Sequence, residues 1–146
     1  MTKLEAALLV AVTLASAPVF AADPCTDPAN LTKANDALAK ARAQKFADAV
    51  TGASAVLAAC PTHAVAVQAL GNALVGQKLY DDVIARMTAV IVAKPDVAYA
   101  YLWRGYGHYY KKQPDKMVGD FQTFLRLAPS APETAAVRQL LGALAH

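Results

Sequence analysis

The stretch AYAYLWRGYGHYYKKQPDKMVGDFQTFLRLAP, residues 98–129, decides the fold. It is a small- and aromatic-rich run, a polar turn at Gln113-Pro114, and a second apolar run closed by Pro129. Tyr99, Tyr106 and Tyr110 are spaced i, i+7 and i+11, which places them on one face of a helix. Working outward, Pro95 and Pro61 precede Pro129 at successive intervals of 34 residues, and each closes the same pattern of run, turn and run. Proline has no N–H and disfavours helical geometry in the residue before it, so the second helix of each pair should stop there. Polar breaks at Gln44-Lys45, Gln77-Lys78 and Gln113-Pro114 divide the first helix of each pair from the second. Six helices follow, and a seventh is expected from about Pro132 to Ala145. Apolar residues recur at three- and four-residue spacing within the runs, as in Phe46, Ala49, Val50, Ala53, Val56 and Leu57, so each helix buries one face. No run alternates as a strand would, and the chain reads as all-α.

An interval of 34 residues is the repeat length of tetratricopeptide (TPR) hairpins, and the residues resemble that family's motif of Trp-x2-Leu-Gly-x2-Tyr, then Ala-x3-Phe, then Pro. In the second repeat the matching residues are Val67, Leu70, Gly71 and Leu74, then Val83, Met87 and Pro95. In the third they are Tyr101, Arg104, Gly105 and His108, then Met117, Phe121 and Pro129. The first repeat departs more: Ala34, Ala37, Leu38 and Ala41 take the first-helix positions if the turn lacks one residue, after which Phe46, Ala49, Ala53 and Pro61 fall into step. The resemblance implies an α-solenoid of three hairpins, residues 30–61, 64–95 and 98–129, preceded by an arm over 22–29 and followed by a capping helix within 130–146. Gly71 and Gly105 are expected where the two helices of a hairpin approach most closely, while the larger Val83 and Met117 occupy a position that is usually small. The stripe Val137, Leu140, Leu141 and Leu144 reads as the packed face of the cap, with dimerisation as the competing use.

The N-terminus reads as an export signal. Met1-Thr2-Lys3 precedes an apolar run from about Ala6 to Ala15, and Val19-Phe20-Ala21 offers the small residues of a cleavage site, placed after Ala21. A retained anchor is the alternative, but the run is short for a span of roughly 20 apolar residues. Cleavage would remove Lys3 and Glu5 together and keep the net charge at +3, too weak a balance for nucleic-acid recognition. Export to the periplasm or beyond puts Cys25 and Cys60 in an oxidising compartment. Cys25 lies just before the first helix and Cys60 at the end of the second, points that an antiparallel hairpin makes neighbours, so the two are expected to form a disulfide.

Catalysis or metal binding would need convergent His, Cys, Asp or Glu. After residue 21 the chain has one glutamate, Glu133, and three separated histidines, His63, His108 and His146. No nucleophile pairs with a base, no glycine-rich phosphate loop is present, and neither enzyme activity nor a cofactor is expected. Asp81, Asp82 and Asp115 follow polar turns and read as helix-start residues; Lys111, Lys112 and Lys116 read as a solvated turn. His108 reads as a packed core or groove residue.

What remains is a groove. The TPR resemblance implies that the first helix of each repeat lines a concave face and contacts a protein or peptide partner. The implied contact residues are Thr32, Asn35, Ala39, Arg42 and Ala43 in the first repeat, and Val65, Gln68, Asn72, Val75 and Gly76 in the second. In the third they are Tyr99, Leu102, Tyr106, Tyr109 and Tyr110. Tyrosine suits such a role through a large, stiff apolar ring with a polar tip, while the same rings could instead pack beneath the cap. The carboxylate clamp of chaperone-binding TPR domains requires lysine or arginine at positions 5 and 9 of the first helices, where this chain has Asn35, Ala39, Gln68, Asn72, Leu102 and Tyr106. Only Asn72 fits, so a C-terminal carboxylate of that type is not an expected ligand. The expected molecule is a non-catalytic interaction module exported to the periplasm, monomeric rather than oligomeric and without a membrane segment once the signal is removed; the alternatives are a self-associating structural subunit or an accessory factor of a cell-envelope complex.

Overall fold

The computed structural model describes residues 22–145. The expected signal segment, with its cleavage site after Ala21, lies outside them. The described residues form seven helices and no strand: α1 (Pro28–Arg42), α2 (Phe46–Ala59), α3 (Ala64–Gly76), α4 (Tyr80–Ala93), α5 (Ala98–Tyr110), α6 (Pro114–Leu127) and α7 (Thr134–Leu144). None is long and apolar enough to cross a membrane.

The helix ends follow from local chemistry. Asp27 caps α1, its carboxylate accepting the Ala29 N–H at 2.9 Å, with Pro28 in the first turn where its missing N–H costs nothing. Pro114 likewise opens α6. The helices α2, α4 and α6 stop at Cys60, Lys94 and Ala128, whose φ lies between −134° and −150°, each held out of helical geometry by the proline that follows. At the other end of each hairpin, Gln44, Lys78 and Lys112 carry φ of 60°, 61° and 60°. Around each, the next N–H reaches back five residues: Lys45 to the Lys40 carbonyl, Leu79 to Leu74, Gln113 to His108. This is the Schellman closure, made here with side chains in the left-handed region that glycine usually fills. Asp48, Asp81, Asp82 and Asp115 sit in the first turns that follow, where their charge favours the helix dipole.

The three left-handed residues are 34 apart, as are the last residues of α1, α3 and α5. The first turn therefore lacks no residue, contrary to the expectation. What differs is the buried face of α1, where Ala34, Ala37, Leu38 and Ala41 are covered, because a first helix has neighbours only in α2 and α3.

Helices α1, α3 and α5 contact one another in series, whereas α2, α4 and α6 each touch only their flanking odd-numbered helices and, for α6, α7. The stack thus curves with the odd helices inside. Its core runs continuously through Val67, Leu70, Leu74, Val83, Met87 and Ala100. A second cluster of Leu102, Met117, Phe121, Phe124 and Val137 joins α5, α6 and α7, with Leu140 and Leu141 packed against it. Val83 and Met117 are fully buried and accommodated. The arm is tied down by the expected disulfide, Cys25–Cys60, with a Cα–Cα distance of 5.1 Å.

The glycines divide. A Cβ on Gly105 would lie 2.6 Å from the Phe121 ring, within its own hairpin as expected. One on Gly71 would lie 2.2 Å from Cγ and 2.5 Å from Cβ of Trp103, on the first helix of the next repeat rather than on α4. Gly71 therefore fixes spacing between repeats. The atoms met are the root of the indole, which cannot retreat without moving α5. We expect Gly71→Ala to lower stability by about 1 to 2 kcal/mol, overpacking outweighing the gain in helix propensity. Gly142→Ala, with nothing within 4 Å of the new methyl, should instead raise it by about 0.5 to 1 kcal/mol. Urea denaturation of both variants checks the pair.

Candidate peptide-binding face

The expected contact residues separate into three environments. Leu102 is fully buried in the α5–α6–α7 cluster and is corrected to a core residue: its side chain points between helices and offers nothing to a ligand. Tyr106 is half-buried, edge-on to Phe121 at 5.2 Å and tilted against Trp103 at 5.6 Å. Burial raises its hydroxyl above the ordinary tyrosine range. Tyr109 and Tyr110, at the end of α5, are 37% and 45% exposed and so present free ring surface.

Those two rings belong to an aromatic corner. Tyr110 stacks on Tyr80 at 4.8 Å, meets Tyr109 edge-on at 5.1 Å, and Lys112 lies 5.8 Å above the Tyr109 ring. Lys111 pairs with Asp81, so one of the three lysines read as a solvated turn bridges two hairpins. Beside the corner is a cavity of about 360 Å³ lined by Tyr109, Lys112, Met117 and Leu144. At the opposite end of the odd helices a larger cleft, about 660 Å³, is lined by residues including Leu31, His63, Val65, Lys94 and Tyr99. His63 caps α3 with its Nδ1, which accepts the Ala66 N–H at 3.4 Å.

Within the inner layer, Gln68 and Tyr99 converge on Glu133, the residue just before α7. The Tyr99 hydroxyl donates to Glu133 Oε2 at 3.0 Å, and Gln68 Nε2 donates to Glu133 Oε1 at 3.4 Å. Gln68 is buried and Tyr99 half-buried, its ring tilted on Phe124 at 5.8 Å. Burial, then the bond to Glu133, raises the Tyr99 hydroxyl above the usual range, while the Arg42 charge works in the opposite direction. Asn72 is partly exposed and makes no side-chain hydrogen bond among the described residues. The tyrosine face is thus partly covered at Tyr99 and Tyr106 and open at Tyr109 and Tyr110.

On the other side of α5 lies a polar cluster that sequence reading missed. Arg104 donates to both oxygens of buried Asp120, at 2.8 and 2.9 Å, and to Thr88 Oγ1 at 3.2 Å. His108 Nδ1 is 2.7 Å from Gln113 Oε1, and its Nε2 is 3.8 Å from Asp120 Oδ2. His108 is the packed residue expected, with partners. The signal was an arginine at a position where the motif has leucine: such a residue needs a buried acceptor. Among the described residues no group of three or more His, Cys, Asp or Glu is placed to hold a metal ion.

Curved stacking of helical hairpins with an inner layer of first helices defines an α-solenoid with the TPR fold. The solved structures agree. The chain is similar to the first TPR of Spaghetti (RPAP3) bound to HSP90 peptide SRMEEVD, at TM-score 0.64 and 19% identity over 80% of this chain and 94% of that one. It is similar also to the first TPR domain of the human RPAP3 protein, at TM-score 0.66 and 19% identity over 80% of this chain and 92% of that one. No family model matches the sequence, and no curated protein does.

Proposed function

We propose that this chain is a non-catalytic interaction module that binds an extended segment of a partner protein across the inner face of its stack. The observation that carries the reading is the open aromatic corner of Tyr109 and Tyr110 at one end of that inner layer, with partly exposed Asn72 and the Leu31–Val65 cleft beyond it. A structural neighbour with a bound peptide supports it. The segment is expected to bind along its length rather than by a terminal carboxylate, since Asn72 alone matches the clamp and Leu102 is buried. The module acts after export, in the periplasm or outside the cell. The Cys25–Cys60 bridge supports an oxidising compartment. It acts as a monomer: Val137 is fully buried and Leu140 and Leu141 pack inward, so most of the terminal apolar stripe is used within the chain.

The test is capture of the partner by crosslinking in the native envelope, followed by affinity measurement with the Tyr109→Ala/Tyr110→Ala variant. Loss of two exposed aromatic anchors should weaken binding about tenfold or more. Unchanged affinity would sink the assignment of this face.

A further inference from the structure

Glu133 is the residue at the start of α7, and its carbonyl accepts the Val137 N–H at 3.0 Å, yet its side chain accepts none of that helix's own N–H groups. A carboxylate there has capping donors within reach as the local option, and here it reaches instead to α3 and α5. The two groups that receive it, Gln68 and Tyr99, belong to the inner layer and are separated from it by 65 and 34 residues. The inner layer therefore holds two neutral donors with a carboxylate already seated on them. The element that delivers it is short: α7 has 11 residues, its Val137 joins the α5–α6 cluster, and its Leu144 is left 51% exposed. Tyr99 also lines the 660 Å³ cleft, so one member of the seat borders open space that an incoming chain could occupy.

We infer that Gln68 and Tyr99 form a receptor for an aspartate or glutamate side chain of the partner, and that Glu133 occupies it in the free protein and is displaced on binding. This rests on the inner face being the partner-binding surface. It adds the chemistry of the recognised residue and a competitor built into the chain. A competitor of this kind lowers apparent affinity by the fraction of molecules in which the seat is taken. Removing it should therefore tighten binding, the reverse of what loss of an ordinary contact does.

The probes are three short peptides of one sequence: a glutamate-containing form with both termini blocked, the same with glutamine for glutamate, and the glutamine form with a free C-terminal carboxylate. Titrated into the whole exported protein, the blocked glutamate peptide is expected to bind Glu133→Ala at least about tenfold more tightly than the unaltered protein. Adding Tyr99→Phe to Glu133→Ala should reverse most of that gain. The glutamine peptides should not discriminate between the proteins. In unaltered protein, where folding is not in question, the Gln68 side-chain amide resonances should move with the glutamate peptide and stay with its glutamine counterpart. Equal affinity of the glutamate peptide for both proteins, or no binding to either, overturns the inference. So does equal binding of the blocked glutamate and glutamine peptides, and binding of the free-terminus peptide alone would assign the seat to chain ends instead. If the partner is lost with Tyr109→Ala/Tyr110→Ala while Glu133→Ala changes nothing, only the carboxylate seat fails. If those tyrosine replacements keep the partner, the inner-face reading itself fails.

Discussion

Replacing both Cys25 and Cys60 with serine should destabilise the protein by about 3 to 4 kcal/mol, the chain-entropy value for a loop of this length. The melting temperature should fall by about 10 °C or more. The physical basis is the composition of the first hairpin. Its covered residues include Ala34, Ala37, Ala41, Ala49 and Ala53, all at 0 to 2% exposure, so close packing there buries little area per residue. The later hairpins have Met87, Phe121 and Phe124 in the core instead. A crosslink that ties the arm to the end of α2 compensates where the core is poorest. Loss of amide-exchange protection should accordingly be greatest in α1 and α2 and least in α5 and α6. A double variant within about 1 kcal/mol of the parent would refute this account of the bridge.

The second large effect belongs to Asp120. Truncation to alanine leaves the Arg104 guanidinium, whose side chain is 21% exposed, without its two charge-assisted acceptors, and should cost about 2 to 4 kcal/mol in chemical denaturation. The low end of that range reflects the solvent that still reaches Arg104. Combining Asp120→Ala with Arg104→Leu removes both charges and restores leucine where the repeat motif carries it. That double variant should recover most of the loss, because an ion pair and an apolar replacement are often close in net stability. A double variant as unstable as Asp120→Ala alone would mean that the cost lies in packing around Gly105 and Phe121 rather than in an unpaired charge.

The scaffold was legible because its determinants are local. A proline acts on the residue before it, and Pro61, Pro95 and Pro129 end their helices whatever lies across the fold. The turns were visible as polar breaks, although the left-handed geometry of Gln44, Lys78 and Lys112 was not, since glutamine and lysine carry none of the signal that glycine does. The disulfide could be read because topology alone makes its cysteines neighbours. The candidate face was only partly legible. Helical spacing places Tyr99, Tyr106 and Tyr110 on one side of α5, but whether a ring is covered depends on α6 and α7, far along the chain. Leu102 fell on the wrong side of the same ambiguity, and so did Gly71, whose partner Trp103 lies in the next repeat. Glu133 stands out in the sequence only as the one glutamate after residue 21, and nothing within its own helix records that its side chain crosses to α3 and α5.

The uneven contact between the two layers has a mechanical consequence. Odd-numbered helices abut in an unbroken series, while α2, α4 and α6 never touch one another. In such a body the segmented side can change its gaps without breaking packed surface, whereas the continuous side cannot. A bound segment lying along the continuous side would set the curvature of the whole molecule, and the spread of α2, α4 and α6 would report its presence on the opposite surface.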